Sequence, residues 1–334
     1  MTNMENWISG IIGNRQRMAI PIMTHPGIEC IGKSVKEAVT DGYIHFEAIK
    51  YLDNRYPSAA CTVIMDLTVE AEAFGAEVFF PEDEIPSVSG RLLYDNESVE
   101  RLSIPEMSAG RIQQFLLANR LAATQIKNKP VFGGCIGPFS LAGRLFDLSE
   151  FMMACYCEPD TATILLSKCK GFLKEYCLEI KKQGVNGIII AEPAAGLLSP
   201  DGCEQFSSIY IKEIVEAVQD DYFTVILHNC GNKGHCTKSM LSTGAAGYHF
   251  GNQIDMIVAL EQCPPDVLVM GNLDPVGLFK NASPEEMGKA TLELLAKTAH
   301  FPNFVLSSGC DIPPHIPEKN IHAFYEALKK NNKE

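Results

Sequence analysis

A histidine and a cysteine at the end of an apolar run are the residues of this chain best suited to chemistry. In the stretch TVILHNCGNK (224–233), His228 and Cys230 follow the apolar residues VIL. On an extended segment, residues i and i+2 point to the same side, so this pair can bind one ion. Cys310 follows another apolar run in NFVLSSGCDIPP (303–314). One nitrogen and two sulfur ligands favour zinc with one position left open, as in a catalytic site.

Chance is the alternative explanation for this set. The chain has twelve cysteines, and buried thiols commonly serve only in packing. His235 and Cys236 follow closely and are competing ligands, although their place at a predicted helix start favours a solvated or capping role.

Several other polar residues directly follow apolar runs. Glu192 in IIIAEPAAG is interpreted either as a fourth zinc ligand or proton acceptor or as a carboxylate that caps a loop. Asp66 in VIMDLTVEAEAFG occupies a similar place and is the second predicted catalytic residue. The residues predicted to line the cofactor-binding pocket are Met65, Phe139, Asn252 and Asp274, and Asp274 is equally well explained as an Asx turn before proline.

These residues belong to a repeated pattern of strand and helix. Seven apolar runs are predicted as strands, at 61–70, 130–140, 185–196, 223–232, 245–255, 266–275 and 303–314. Apolar residues at three- and four-residue spacing predict helices at 107–127, 160–182, 204–218, 284–299 and 318–331. Ser283 and Pro284 are typical of a helix start. Continuous apolar strands indicate a parallel sheet buried on both faces, and this many units favour a (β/α)8 TIM barrel over an open doubly wound sheet. No GxGxxG follows a strand, which argues against a dinucleotide fold.

Composition limits the partners. The 334 residues are 46% hydrophobic and carry a formal net charge of −13, so nucleic acid and anionic membranes are excluded as expected partners.

We predict one domain over 1–334 with N-terminal helical additions and frayed ends at about 1–4 and 330–334. The cysteines are scattered as in a reduced protein, and neither a secretory signal nor a membrane span is recognisable. A cytoplasmic protein is expected.

Six phrases of the chain resemble a known family in order and spacing. They are MDLTVEAEAFG, GCIGPFSLAGRLFD, AEPAAGLLSPD, LHNCGN, GNLDPV and SSGCDIPPHIPEKNIHAF. The family is the uroporphyrinogen decarboxylase superfamily, and the phrases are most similar to its branch of methylcobamide:coenzyme M methyltransferases. The resemblance extends from about residue 5 to about residue 330. Its most specific element is His-x-Cys followed far downstream by Gly-Cys-Asp-Ile-Pro.

The resemblance implies a zinc ion bound by His228, Cys230 and Cys310. It implies methyl transfer between a methylated corrinoid and a zinc-activated thiol such as coenzyme M, with the corrinoid delivered by a small protein that docks transiently over the barrel mouth. Homocysteine, another thiol or a nonthiol acceptor are alternatives to coenzyme M, and the residues leave the direction of transfer open.

Two rival functions follow from the same resemblance. The first is a uroporphyrinogen-decarboxylase-like lyase, which would carry an arginine-rich, RQAGR-like segment near its N-terminus to bind substrate carboxylates. The corresponding stretch here, PIMTHPGIECIGKS (21–34), contains no arginine, so the counter-charges are missing. The second is a noncatalytic corrinoid- or tetrapyrrole-binding protein, which has no need for a metal site with an open position.

Overall fold

The structure, a computed structural model, describes residues 2–333 and is built around a seven-stranded parallel sheet of order β1-β4-β5-β6-β7-β8-β9. These strands are β1 (Cys61–Thr62), β4 (Val131–Ile136), β5 (Gly187–Ala191), β6 (Thr224–Asn229), β7 (Gly247–Phe250), β8 (Leu268–Leu273) and β9 (Phe304–Ser308). A separate antiparallel hairpin consists of β2 (Val78–Phe79) and β3 (Ser87–Val88). Every residue of β4, β5 and β6 is buried, because these strands have apolar neighbours on both faces.

An extended segment at residues 18–23 fills the gap between β9 and β1. Ala19 bridges Leu306 in parallel, and Ile20 N donates to Leu306 O at 2.9 Å. On the other side, Ala59 N donates to Ala19 O at 2.9 Å. The segment therefore closes the sheet into the predicted (β/α)8 barrel. It was absent from the predicted strands, and Pro21 explains why, since a residue without an N–H interrupts a regular ladder.

Helices alternate with the strands and cover the outside of the barrel. They are α1 (Met4–Ile12), α2 (His25–Cys30), α3 (Val35–Thr40), α4 (Gly42–Arg55), α5 (Val69–Ala73), α6 (Asn96–Arg101), α7 (Ile112–Gln125), α8 (Pro138–Phe146), α9 (Leu148–Cys157), α10 (Pro159–Lys182), α11 (Pro200–Cys203), α12 (Ile209–Val218), α13 (Thr237–Leu241), α14 (Met256–Gln262), α15 (Pro284–Lys297) and α16 (Glu318–Asn331). Ser283 caps α15 in a capping box with Glu286, and Pro284 is its first residue, as predicted. This combination satisfies backbone N–H groups that a helix start leaves free.

One end of the barrel is closed by α1. Met4 N donates to Asp221 O, which precedes β6, at 2.6 Å, and the Trp7 ring lies 5.9 Å from the Phe132 ring. The apolar side chains of α1 join those of the barrel interior in one cluster, which includes Met4, Ile8, Ile11, Phe132, Ile189, Ile226, Leu268 and Val305. The carboxyl ends of the strands form the opposite end, where TIM barrels carry their active sites.

The barrel and its N-terminal helices are confirmed, while the boundaries of a single domain over 1–334 stay a prediction. The ends predicted to fray are partly helical, since Met4 begins α1 and Lys330 lies in α16. Residues 1 and 334 of these ends lie outside the described residues. None of the helices within residues 2–333 has both the length and the apolar character needed to cross a membrane.

Candidate functional site

The structure brings His228, Cys230 and Cys310 together at the carboxyl end of the barrel. One ligand atom from each residue lies within 4.8 Å of the other two, and His228 Nε2 is 3.6 Å from Cys310 Sγ. His228 is buried at 2% exposure, whereas both cysteines are partly exposed. The three donors therefore sit at the inner end of the mouth with their sulfur side accessible.

The backbone of the loop after β6 is held in place around Cys230 by two features. Asn229 lies between the two ligands, and its Oδ1 accepts from Gly231 N and Asn232 N at 3.0 Å each. Gly251, after β7, lies so close that a Cβ there would be 2.5 Å from Cys230 O and 2.6 Å from Cys230 Cα. The position of Cys230 thus depends on one side-chain acceptor and one missing side chain.

The donor set fits a zinc ion in type and in spacing. Zinc in proteins prefers imidazole nitrogen and thiolate sulfur, and bond lengths of about 2.0–2.1 Å and 2.3 Å in a tetrahedron separate the two atoms by about 3.6 Å. His228 Nε2 and Cys310 Sγ already have this separation. Three protein ligands leave the fourth tetrahedral position for a substrate atom.

The pKa values of the two neighbouring thiols are shifted in opposite directions, which favours one thiolate. A hydrogen bond from Cys310 lowers the pKa of Cys230 well below its usual range, and the adjacent His228 acts in the same direction. The same contact with Cys230, together with burial, raises the pKa of Cys310. A cation that binds both sulfurs displaces the thiol proton of Cys310, since metals bind the thiolate form.

The second ring nitrogen of His228, Nδ1, contacts His249. His228 Nδ1 lies 2.8 Å from His249 Nδ1 and 3.3 Å from the His249 carbonyl oxygen. His249 is fully buried in β7, and burial lowers its pKa well below the usual value, with a further contribution from His228. Sequence patterns did not single out His249, because a histidine in the middle of a buried strand has no marker in a pattern of apolar runs.

Glu192 is buried directly after β5, and its carboxylate accepts hydrogen bonds at the start of α8. Its oxygens accept from Phe139 N at 3.0 Å, from Ser140 N at 2.6 Å and from Ser207 Oγ at 3.3 Å. Burial raises its pKa to about 7 despite these hydrogen bonds. These contacts match the alternative of a capping carboxylate, and the catalytic or ligand role of Glu192 stays a prediction.

Asp66 is buried and paired with an arginine that the predictions did not include. Arg111 Nη1 lies 2.5 Å from Asp66 Oδ2, and Asp66 Oδ1 accepts from both the N–H and the hydroxyl of Thr68. Arg111 also contacts Glu72 at 2.6 Å. Both oxygens of Asp66 are occupied, which is typical of a structural ion pair, and its catalytic role stays a prediction.

The predicted pocket residues are in different environments. Met65 and Phe139 are buried, and the Phe139 ring lies 5.3 Å from that of Phe151. Asn252 is exposed, with its backbone against Gly309, the residue before Cys310. Asp274 accepts from Val276 N and Gly277 N at 2.9 and 2.8 Å, as expected of an Asx turn. Of these four, Asn252 is the one whose position next to Cys310 is now clear, and all four roles stay predictions.

Further polar residues occupy the mouth without having been predicted. His25 follows the closing segment 18–23, is 1% exposed, and has Nδ1 3.3 Å from Asp311 Oδ2, without the alignment of a hydrogen bond. Glu70 is buried, accepts from Ile136 N at 3.1 Å through Oε1, and has a pKa raised to about 7 by burial. The rule that polar residues after apolar runs face the mouth would have found His25 if residues 18–23 had been recognised as a strand.

Comparisons with known proteins show what the whole chain is similar to. The family model for uroporphyrinogen decarboxylase (URO-D) matches residues 16–331. The chain is 29% identical over 283 residues to a methylcobamide:CoM methyltransferase MtbA of Methanosarcina acetivorans, covering 81% of this chain and 79% of that protein. It is 28% identical over 284 residues to a uroporphyrinogen decarboxylase of Legionella pneumophila (strain Lens), covering 82% and 79%.

A solved structure has the same fold. The structure of a methyltransferase from Methanosarcina mazei aligns with a TM-score of 0.87 over 97% of both chains, at 21% sequence identity. At this identity the likeness shows the fold alone. The chemistry of the site must therefore be argued from the residues of this chain.

Proposed function

The chain belongs to the uroporphyrinogen decarboxylase family, and from that premise we propose that it is a zinc-dependent methyltransferase that moves a methyl group between a methylated corrinoid and a thiol such as coenzyme M. The observation that carries the proposal is the set His228, Cys230 and Cys310, with its ligand atoms within 4.8 Å of one another at the barrel mouth. The relative MtbA is named a methylcobamide:CoM methyltransferase, and this name supports the same reaction class.

The residues of this chain have separate tasks in the proposed site. His228, Cys230 and Cys310 hold the ion, and Asn229 fixes the turn that presents Cys230. When bound, zinc supplies a Lewis acid that lowers the pKa of a thiol in its open position from the free value of about 8.5. The partly exposed sulfurs leave the approach from the mouth free for a substrate.

The net reaction balances without any redox change of the protein. The thiolate sulfur contributes the electron pair of the new S–CH3 bond, and the Co–CH3 bond breaks with both electrons remaining on cobalt. Methyl-Co(III) corrinoid and thiol thus become Co(I) corrinoid, thioether and one proton. The reverse direction, from a methylated substrate to Co(I), uses the same arrangement.

The partners follow from the size of the reactants. A corrinoid is much larger than the space around three ligands, so we propose that a small corrinoid protein presents it transiently at the mouth. The thiol is the second, small partner. A cytoplasmic location, as expected from the sequence, belongs to the same proposal.

A decarboxylase-like lyase is the alternative that the relatives from Legionella represent. The sequence contains no arginine between Arg17 and Arg55. Arg17 donates to the carbonyls of Thr298, Ala299 and Phe301, and Arg111 is bound to two acids. These arginines are committed to protein groups rather than to a polyanionic substrate, so this alternative has less support.

The test compares zinc content and activity in three proteins purified without chelator. They are the wild type, Cys310→Ala, and Cys157→Ala as a matched control on an exposed cysteine of α9. We expect roughly one zinc per chain in the wild type and in Cys157→Ala, with its loss in Cys310→Ala. Thiol-dependent demethylation of methylcobalamin, followed by absorbance, should disappear together with the metal. A wild-type protein that folds normally but contains no zinc would contradict the proposal.

A further inference from the structure

A chain of buried hydrogen bonds leads from the metal set to the far side of the barrel. His228 Nδ1 lies 2.8 Å from His249 Nδ1, and His249 Nε2 lies 2.8 Å from Ser307 Oγ. Ser307 in turn donates to the carbonyl of Ile20 at 2.7 Å. His249 and Ser307 are fully buried. The chain therefore joins β6, β7 and β9 to the segment 18–23 that closes the barrel.

The direction of each hydrogen bond can be read from the end of this chain. A carbonyl oxygen only accepts, so the single hydroxyl proton of Ser307 points to Ile20. Toward His249, Ser307 can then only accept, which places a proton on His249 Nε2. A buried imidazole that contacts no carboxylate is stable in its neutral form, so His249 Nδ1 has a free lone pair.

The protonation of His228 follows. Its Nδ1 faces the lone pair of His249 Nδ1, so it must carry the proton. The second contact of His228 Nδ1 leads independently to the same assignment, because the His249 carbonyl oxygen at 3.3 Å also only accepts. His228 Nε2 is left with a lone pair on the side of Cys310 Sγ, 3.6 Å away. A zinc-binding imidazole requires this form.

We propose that His249 is a positioning residue that holds His228 in the Nδ1–H form, with Ser307 and the Ile20 carbonyl anchoring the far end of the chain. This inference rests on the proposed metal centre and adds a residue that touches neither the ion nor the substrate. Its consequence is a higher affinity for zinc, since the imidazole needs neither to rotate nor to move a proton when the ion binds.

The test measures the zinc dissociation constant by competition with a chelator of known affinity. His249→Phe keeps a ring of similar size but removes the acceptor, and we expect it to weaken zinc binding by about 10–100-fold. His249→Asn puts an amide oxygen close to the place of Nδ1 and should recover most of that loss. A ring that only filled space would give the opposite order, since phenylalanine fills more of it than asparagine.

His45→Phe is the matched control. His45 is also a buried histidine, but its Nε2 accepts from Ile64 N at 2.9 Å rather than contacting a metal ligand. We expect it to lower stability without changing zinc affinity. Circular dichroism and the thermal midpoint of each metal-free protein report whether it folds.

Each possible result either supports or contradicts the positioning role of His249. A folded His249→Phe protein with wild-type zinc affinity would overturn the inference while leaving the proposed function intact. If His249→Phe does not fold, Ser307→Ala takes its place with an expected loss of zinc affinity, and unchanged affinity there would be equally decisive. A wild type that binds no zinc would remove the proposed function and this inference with it.

Discussion

His228 and Cys310 are 82 positions apart in the chain, yet Nε2 of one lies 3.6 Å from Sγ of the other. The pair is brought together because β6 and β9 end at the same rim of one closed barrel. Cys230 has no such long-range origin, since it follows His228 by two residues. Its placement depends on the shape of the loop after β6, which makes that loop the first target for substitution.

Removing the acceptor at Asn229 should disturb this loop. Asn229→Ala leaves the N–H groups of Gly231 and Asn232 without their acceptor, and we expect the free energy of unfolding to fall by about 1–3 kcal/mol together with weaker zinc binding. Asn186→Ala is the control, because Asn186 Oδ1 accepts from Val131 N at the opposite end of the barrel. Urea denaturation and chelator competition measure the two effects. Equal zinc affinity in both variants would show that the turn forms without Asn229.

A methyl group at position 251 should displace Cys230. In Gly251→Ala the new Cβ would approach Cys230 O and Cα at 2.5 and 2.6 Å, so the backbone of one strand end must move. We expect a loss of stability of about 1–3 kcal/mol and a loss of zinc affinity of about 10-fold. Gly10→Ala on α1 is the control, since a Cβ there meets nothing within 4 Å. Wild-type zinc affinity in Gly251→Ala would mean that the loop accommodates the methyl group without moving the ligand.

Breaking the ion pair between Arg111 and Asp66 should destabilise the fold. Arg111→Met leaves a buried carboxylate without its counter-charge, and the free energy of unfolding should fall by about 3–5 kcal/mol. Lys33→Met removes the partner of Glu37 in an exposed ion pair. This variant should change the free energy of unfolding by less than about 0.5 kcal/mol. Urea denaturation at neutral pH compares the two. A small effect of Arg111→Met would mean that the folded protein does not depend on this ion pair. The catalytic role predicted for Asp66 from the sequence would then gain support.

The buried acid Glu70 predicts a pH dependence of stability. Its pKa of about 7 lies above the ordinary 4.5, so the folded protein binds this proton more tightly than the unfolded chain does. The stability contribution of Glu70 is therefore lost as pH rises from 4.5 to 7 and is constant above. Glu70→Gln keeps an oxygen for Ile136 N and should raise the free energy of unfolding at pH 8 by on the order of 1–3 kcal/mol, with little change at pH 4.5.

Urea titrations of both proteins from pH 4.5 to pH 8 measure that difference. Glu192, whose pKa is also about 7, should leave a residual slope in the variant. Glu261→Gln changes an exposed carboxyl and serves as the control for a change of net charge. An identical pH slope in Glu70→Gln and the wild type would contradict the raised pKa.

The sequence by itself predicted seven of the barrel strands and grouped three side chains of metal-binding type. Buried parallel strands are continuous apolar runs, and a (β/α)8 barrel places the residue after each run at one rim. His228, Cys230 and Cys310 could therefore be grouped without coordinates. The capped start of α15 at Ser283 was equally readable, because capping depends on residues three positions apart.

The tertiary structure decided what each polar residue at the rim contacts. Asp66 meets Arg111, 45 positions away, and Glu192 meets the start of α8, 52 and 53 positions away. His249 supports His228 from the neighbouring strand. Apolar burial follows local periodicity, but the partner of a buried polar group depends on strand register and loop path. Register and loop path are set only when residues 18–23 close the barrel. Pro21 interrupts the strand pattern of this segment, so local sequence does not predict it as a strand.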